Sequence, residues 1–363
     1  MKEYIPPFLP LDKDLETKNV LKKTIGATGS LKELKGIARL IPNQEILISF
    51  FALKEAKSSS EIENIKTTTD QLIGIADETE NSKNVKEVLR YKDAMIKVFR
   101  KVKRVIDDKL LITNNDIQLI NSEILGYDSG YRKQSGTKII DQKNDVILHT
   151  PPQNHEDILS LMDNLLEYLN TNDDGVDPLI KMAIIHYQFE VIHPFYDGNG
   201  RTGRVLNILY LVSEKYLSFP VLYLSSYINA NKKNYYDLLQ ETRLTQNFED
   251  WILYMLDGIE QTSNNTIKTI KDIKKLMEKT KSEIKGKNYY SKDLLECIFA
   301  NPYTTSTILS KKLDINKRTA TKYLKELTGL GIMTLVKKKR GIENRFYNTH
   351  LILLLKKSNS GTR

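Results

Sequence analysis

The chain has 363 residues, of which 40% are hydrophobic and 28% charged, with a formal net charge of +9. This composition supports a sizeable core and roughly two to three domains, and it excludes wholesale disorder. Sparse Gly and Pro exclude collagen-like or linker-rich architectures, Cys297 alone excludes internal disulfides and cysteine zinc sites, and aliphatic runs such as Leu351–Leu355 are too short to span a bilayer. Prolines and mixed charges follow Met1 where a signal peptide needs an apolar stretch, so the expectation is a soluble, cytoplasmic chain without a membrane partner.

In chain order, Met1–Gly36 reads as an extended arm with Pro6, Pro7 and Pro10. After Pro42, Asn43 caps a helix carrying Ile46, Phe50 and Leu53, and Ser58–Asn64 follows with serine capping chemistry ahead of Glu61 and Glu63. Asn81–Val105 is a strong helical pattern. Lys138–Ile140 and Val146–Leu148, around Asp141–Asp145, read as a small β-hairpin. Helical periodicity returns over Glu156–Asn170, Asp177–Ile192, Arg201–Tyr216, Asn231–Thr242 and Phe248–Lys285, the last a long connector.

Beyond Asn288, Thr305–Leu313 and Lys317–Leu327 form two short helices joined by Asp314-Ile315-Asn316. Two strands follow, Ile332–Val336 and Arg345–Tyr347, around a basic tip at Lys337–Gly341. That is the outline of a winged helix-turn-helix. Eleven basic residues against three acidic ones give Ser310–Arg345 a charge of +8, leaving the remainder nearly neutral. Lys317, Arg318, Thr319, Thr321 and Lys322 would line a helix offered to DNA, and the competing reading is a protein-docking or dimerisation unit.

The chemistry concentrates in His193-Pro194-Phe195-Tyr196-Asp197-Gly198-Asn199-Gly200-Arg201-Thr202-Gly203-Arg204. Gly198 and Gly200, around Asn199, let amides converge at a helix start, which makes an anion cradle. Arg201 and Arg204 lie three apart and can grip two phosphates, and Asp197 is suited to a magnesium ion bridging phosphate oxygens. His193 supplies a base whose ordinary pKa of about 6.5 suits proton removal near neutrality. Taken singly, these features are a structural histidine, a turn and surface arginines. Together they suit attack of a protein hydroxyl on a nucleotide phosphate.

The string resembles the Fic family signature HxFx(D/E)GNGRxxR, with every fixed position matched. The resemblance covers about Tyr4 to Arg243 and implies a mainly α fold: a helical core with a β-hairpin flap, here joined to the C-terminal winged helix-turn-helix. It implies transfer of AMP from ATP, with Mg2+ or Mn2+, to a Ser, Thr or Tyr hydroxyl of a target protein or of the chain itself. By motif position, His193 would deprotonate the hydroxyl and Asp197 would ligate the metal. Gly198, Asn199, Gly200 and Arg201 would hold the α- and β-phosphates, and Arg204 would meet the γ-phosphate. Relatives with an inhibitory helix carry (S/T)xxxE(G/N), matched by Ser59, Glu63 and Asn64, so Glu63 would pair with Arg204 and keep the enzyme off. Homodimers recur among such relatives.

Tyr227–Asn231 and Tyr235-Tyr236 are similar to the family's segment beside the adenine pocket, which makes Asn231 and Tyr236 binding candidates and Tyr235 a packing residue. His186 reads as a core residue, and His149, His155 and His350 show no metal-ligand spacing with it. The expected division is an N-terminal region over 1–105 carrying the inhibitory motif, a catalytic core over 106–245, a connector over 246–287 and the winged helix over 288–363. The alternatives are a Fic enzyme using another nucleotide or removing AMP, and a DNA-binding regulator whose core only senses nucleotide.

Overall fold

The structure is a computed structural model that describes residues 2–75, 82–103, 111–141, 146–171, 174–338 and 342–357. The proline-rich start is extended and pinned to the core. Tyr4 N–H donates to Thr150 O at 2.9 Å, and Gln188 Nε2 donates to Pro7 O at 2.8 Å. The arm does not run to Gly36, however, because Lys18–Ala38 is helix α1, started by the Thr17 side chain. Its buried side is Val20, Thr24, Ala27, Leu31, Leu34 and Ala38, a correctly spaced helical stripe. Small and polar members, with two interior glycines, hide it from a reading by apolar periodicity. At Gly26 α1 passes close to its neighbour, and a Cβ there would sit 3.1 Å from Glu260 Oε1, so the carboxylate would have to shift by a few tenths of an ångström.

Asn43 caps α2 (Gln44–Ile62) as expected, its Oδ1 accepting from Glu45 N–H at 3.1 Å. The serines do not start a new helix. Ser59 and Ser60 are interior positions of α2, fully buried, and the break comes at Glu63 and Asn64. After it come α3 (Thr69–Leu72) and α4 (Lys83–Lys103). The sequence reading missed α5 (Asn114–Leu125), which opens on a reciprocal capping box between Thr113 and Asp116 and closes on Gly126 at φ +80°.

The hairpin forms where expected, from β1 (Ile139–Asp141) and β2 (Val146–His149), antiparallel with Ile140 opposite Ile147. The rest of its connection lies outside the described residues. Next come α6 (His155–Asn170), α7 (Pro178–Ile192) and α8 (Asn199–Ser213). Pro178 sits in the first turn of α7 behind the Asp177 cap, and thirteen of its fifteen residues are buried, which marks the central helix of the core. The helix expected over Asn231–Thr242 is α10 (Lys232–Thr245), preceded by the short α9 (Ser225–Ala230), which the sequence reading missed, with Asn231 at the joint. The connector is α11 (Glu249–Ile284), anchored by buried Trp251, whose Nε1–H donates to Ala183 O at 2.8 Å.

The C-terminal part consists of α12 (Lys292–Ala300), β3 (Tyr303–Thr304), α13 (Ser306–Leu313), α14 (Lys317–Gly329), β4 (Met333–Val336), β5 (Arg345–Asn348) and α15 (Thr349–Lys356). The two helices meet through Asp314 at φ +51°, and the strands pair antiparallel in the order β3-β5-β4. Lys339, Arg340 and Gly341 of the basic tip lie outside the described residues. The molecule is mainly α with small antiparallel sheets. Among the described residues, no helix is long and apolar enough to cross a membrane.

Candidate active site

α7 ends at His193, which takes the left-handed conformation (φ +50°) while its N–H bonds to Phe189 O at 3.0 Å. The loop that follows is closed by Asn199. Its Oδ1 accepts from Phe195 N–H and its Nδ2 donates to Phe195 O, both at 2.8 Å. The Asn199 amide is therefore spent on shaping the loop. Phe195 is fully buried beneath it. Gly198 turns the chain into α8 at φ +76°, where a Cβ would lie 2.9 Å from Asn121 Nδ2. Asn121, on α5, donates to Asp197 O at 2.9 Å and to Thr202 Oγ1 at 3.1 Å.

A second set of bonds holds the loop from the hairpin side. Arg132, fully buried, donates through Nε to His193 O at 2.9 Å and through Nη2 to Ile192 O at 3.3 Å and to Pro152 O. Its own N–H reaches Pro194 O at 2.8 Å. Tyr196 Oη accepts from Lys133 N–H at 2.9 Å and Gln134 N–H at 3.0 Å. Both legs of the hairpin are thus tied to the His193 loop. Sequence reasoning missed Arg132 and Asn121. The only signals were an arginine between Gly130 and a polar run, and an asparagine on the unrecognised α5.

Arg201 and Arg204 are 2% and 3% exposed, far from the fate of surface arginines. Arg201 pairs with Glu87 of α4 through Nη1 and reaches Asp197 Oδ1 at 3.4 Å through Nη2. Arg204 is enclosed by the end of α2. Nε donates to Ser59 Oγ at 2.8 Å, and Nη2 donates to Ser59 O at 3.1 Å and to Glu63 Oε1 at 2.8 Å. A Cβ on Gly200 would stand 2.6 Å from Glu63 Oε1 and 2.9 Å from Arg204 Nη1, so the carboxylate lies directly against the first turn of α8. Asn64 is left-handed at φ +62°, a conformation that Gly and Asn tolerate best, and its Oδ1 accepts from Lys232 Nζ at 3.2 Å.

The charges follow from this geometry. Burial pushes the Glu63 carboxyl up, but Arg204 outweighs it and holds the group below its ordinary value. Burial, with smaller effects from His149 and Arg132, lowers His193 to about 4, so its imidazole is neutral at pH 7. Burial raises Glu190, three residues earlier on α7, to about 7 despite Arg204. Tyr236 is 37% exposed, and its phenol is raised by burial and by Glu63. Asn231 turns back, its Nδ2 donating to Tyr227 O at 3.0 Å. Tyr235 and His186 are buried against each other, Nε2 to Oη at 3.0 Å. The arrangement brings Ser59, Glu63, Gly200 and Arg204 into one cluster and joins Asp197 to Arg201.

A neutral imidazole at the end of one helix and two buried guanidiniums at the start of the next define an anion-handling site on a helical core. Family models match consecutive stretches of the chain: Fic/DOC family N-terminal over residues 21–100, Fic/DOC family over 111–211, and the C-terminal domain of SoFic-like protein adenylyltransferases over 276–351. The chain belongs to the Fic/DOC family. It is 30% identical over 190 residues to a probable protein adenylyltransferase of Aquifex aeolicus, an alignment covering 51% of this chain and 56% of that one. It is 27% identical over 150 residues to protein adenylyltransferase fic-1 of Caenorhabditis elegans, covering 38% and 29%. The matched part thus spans about half or less of these relatives. The fold is shared with a Fic family protein from Desulfovibrio desulfuricans, at a TM-score of 0.54 and 18% identity over 99% of this chain and 100% of that one.

Proposed function

We propose that this protein is a protein adenylyltransferase, moving AMP from ATP to a Ser, Thr or Tyr hydroxyl of a target protein or of itself, and that α2 holds it inactive. The observation that carries the reading is the Glu63 carboxylate on Arg204, against the first turn of α8. An anion already sits where the helix start and a buried guanidinium invite one. When Glu63 withdraws, Gly200 offers its backbone N–H group, and Arg201 and Arg204 offer guanidiniums, to a triphosphate, whereas the Gly198 N–H expected to join them is donated to Asp197 Oδ1 at 2.6 Å. Asn199 keeps that cradle in shape.

The neutral His193 imidazole takes the proton of the acceptor hydroxyl. The hydroxyl oxygen bonds to the α-phosphorus, the bond from that phosphorus to the β-phosphate oxygen breaks, and pyrophosphate leaves. Positioning and charge stabilisation supply most of the acceleration, and the base adds roughly 10²–10⁴-fold. Mg2+ is commonly held by one or two carboxylates plus substrate phosphates. The Asp197 side chain, 65% exposed beside Arg201, fits that demand. Asp197 would hold the ion, which when bound neutralises charge on the phosphate oxygens. Tyr236, partly exposed near the Glu63–Arg204 pair, is the better placed of the two adenine-side candidates, because the Asn231 amide is turned back onto Tyr227 O of α9.

The C-terminal part reads as a winged helix-turn-helix that engages duplex DNA. Lys317, Arg318, Lys322 and Lys325 of α14 are exposed, and an open groove of about 760 Å³ is lined by Arg318, Thr319, Thr321, Lys322, Lys325 and the single acid Glu326. The catalytic reading is tested by incubating the Glu63→Gly variant with ATP labelled at either the α- or the γ-phosphorus. AMP transfer leaves the α label on protein and releases the γ label. Retention of γ label, or of neither, contradicts it.

A further inference from the structure

We propose that the C-terminal part, α12 to α15, is a clamp that keeps α2 seated on Arg204, and that duplex DNA laid along α14 loosens it. The activity arm of this inference rests on the adenylyl-transfer reading above.

α2 and the segment after it are gripped at three places by residues more than 200 positions away. At the start of α2, the Asn43 cap donates through Nδ2 to Glu296 Oε2 of α12 at 3.0 Å. Midway, Lys54 Nζ donates to Lys357 O, just past α15, at 3.1 Å. Beyond the Glu63–Asn64 turn, Gly74 O receives Lys338 Nζ at 2.6 Å and the Tyr347 hydroxyl at 2.7 Å, while Asp70 pairs with Lys356 at 2.7 Å. Tyr347 is 1% exposed, so its bond is shielded from water, which makes this grip stronger than exposed ion pairs alone. The helix bearing Ser59 and Glu63 thus lies with one side on the active site and the other under the C-terminal part.

The same β4–β5 connection also reaches the DNA-facing helices. Glu343 accepts from Thr307 N–H and Oγ1 at the start of α13, both at 3.0 Å, and pairs with Lys317 Nζ at the start of α14 at 3.0 Å. Lys338 N–H donates to Asn344 Oδ1 at 3.0 Å, so the described parts of the connection are bound together. A phosphate drawn to Lys317 competes with the Glu343 carboxylate, and a second phosphate competes with Gly74 O for Lys338. Either exchange pulls on the connection that holds residues 73–74. The exposed partners along α13 and α14 are Lys311, Lys312, Arg318, Lys322 and Lys325, a line of positive charge that matches a polyphosphate backbone. A ligand that engages these cations only when the clamp is open shifts the balance towards the open state.

The test uses the full chain and two readouts, amide hydrogen exchange over residues 59–74 and incorporation of AMP from α-labelled ATP. The clamp variant is Tyr347→Phe with Lys356→Ala, mild changes remote from Arg204. It should speed exchange over 59–64 and raise labelling about five-fold or more. Mixed-sequence duplex DNA should do the same to the wild type at low salt, with the effect fading as salt rises. Glu63→Gly should label strongly and show no further response to the duplex. Exchange over 59–64 unmoved by both the variant and the duplex overturns the inference, even where Glu63→Gly labels well. If Glu63→Gly fails to label, the adenylyl-transfer reading falls and exchange alone judges the clamp. Activation by polyglutamate but not by duplex DNA overturns the choice of partner.

Discussion

Arg132 spends its guanidinium on backbone carbonyls at Pro152, Ile192 and His193, joining the hairpin legs to the residue offered as base. Lysine keeps the charge but cannot match that fork. Arg132→Lys, on the Glu63→Gly background, should lower kcat for AMP transfer about 10²-fold, the scale of a roughly 1 Å misplacement. ATP affinity measured by calorimetry should be unchanged, because no phosphate-facing residue is touched. An equal loss of ATP affinity contradicts a positioning role. At this scale the sequence was most legible from His193 to Arg204, because that chemistry sits in consecutive residues. Arg132, Asn121 and Glu87 reach the same loop from 61 to 114 positions away, and their spacing carries no periodic mark.

Among the elements, α7 and α11 were readable because apolar residues recur through them at helical spacing, and the hairpin because its apolar runs flank polar residues. α1 failed for a different reason. Its buried face is mostly apolar, but Thr24 interrupts it, and Gly26 and Gly29 beside it are poor helix formers, so the stripe packed on α11 did not read as a helix. The serine cluster misled in a different way. Ser58–Ser60 looks like a cap, yet Ser59 is held inside α2 because its Oγ and backbone oxygen both accept from Arg204, a partner that local sequence cannot reveal. The end of α2 was marked instead by Asn64, whose left-handed backbone suits the Gly or Asn that closes the motif this segment resembles.

For the whole molecule, three histidines folded neutral contribute to the loss of stability on the acid side. Burial lowers His149 and His193 to about 4 and His186 to about 3, against an ordinary value of 6.5. Below pH 6.5 the unfolded chain binds protons that the native state refuses, so stability present above 6.5 is lost as pH falls towards these values. Glu190, raised to about 7 from 4.5, acts in the opposite direction: stability it contributes below pH 4.5 is lost as pH rises to 7. Comparing one variant with the wild type cancels that contribution. His186→Gln should lose less stability than the wild type between pH 6.5 and 4.5, by at most about 1.4 kcal/mol per pH unit. Parallel melting curves across that range contradict a neutral buried His186.

α2 and α8 meet at one pair, Glu63 with Arg204, so the most direct measurement is the intact mass of three proteins after incubation with ATP and magnesium. The account predicts little or no added AMP on the wild type, a clear AMP adduct on Glu63→Gly, and none on Glu63→Gly with His193→Ala. Adducts of equal extent on all three, or none on Glu63→Gly, would contradict it.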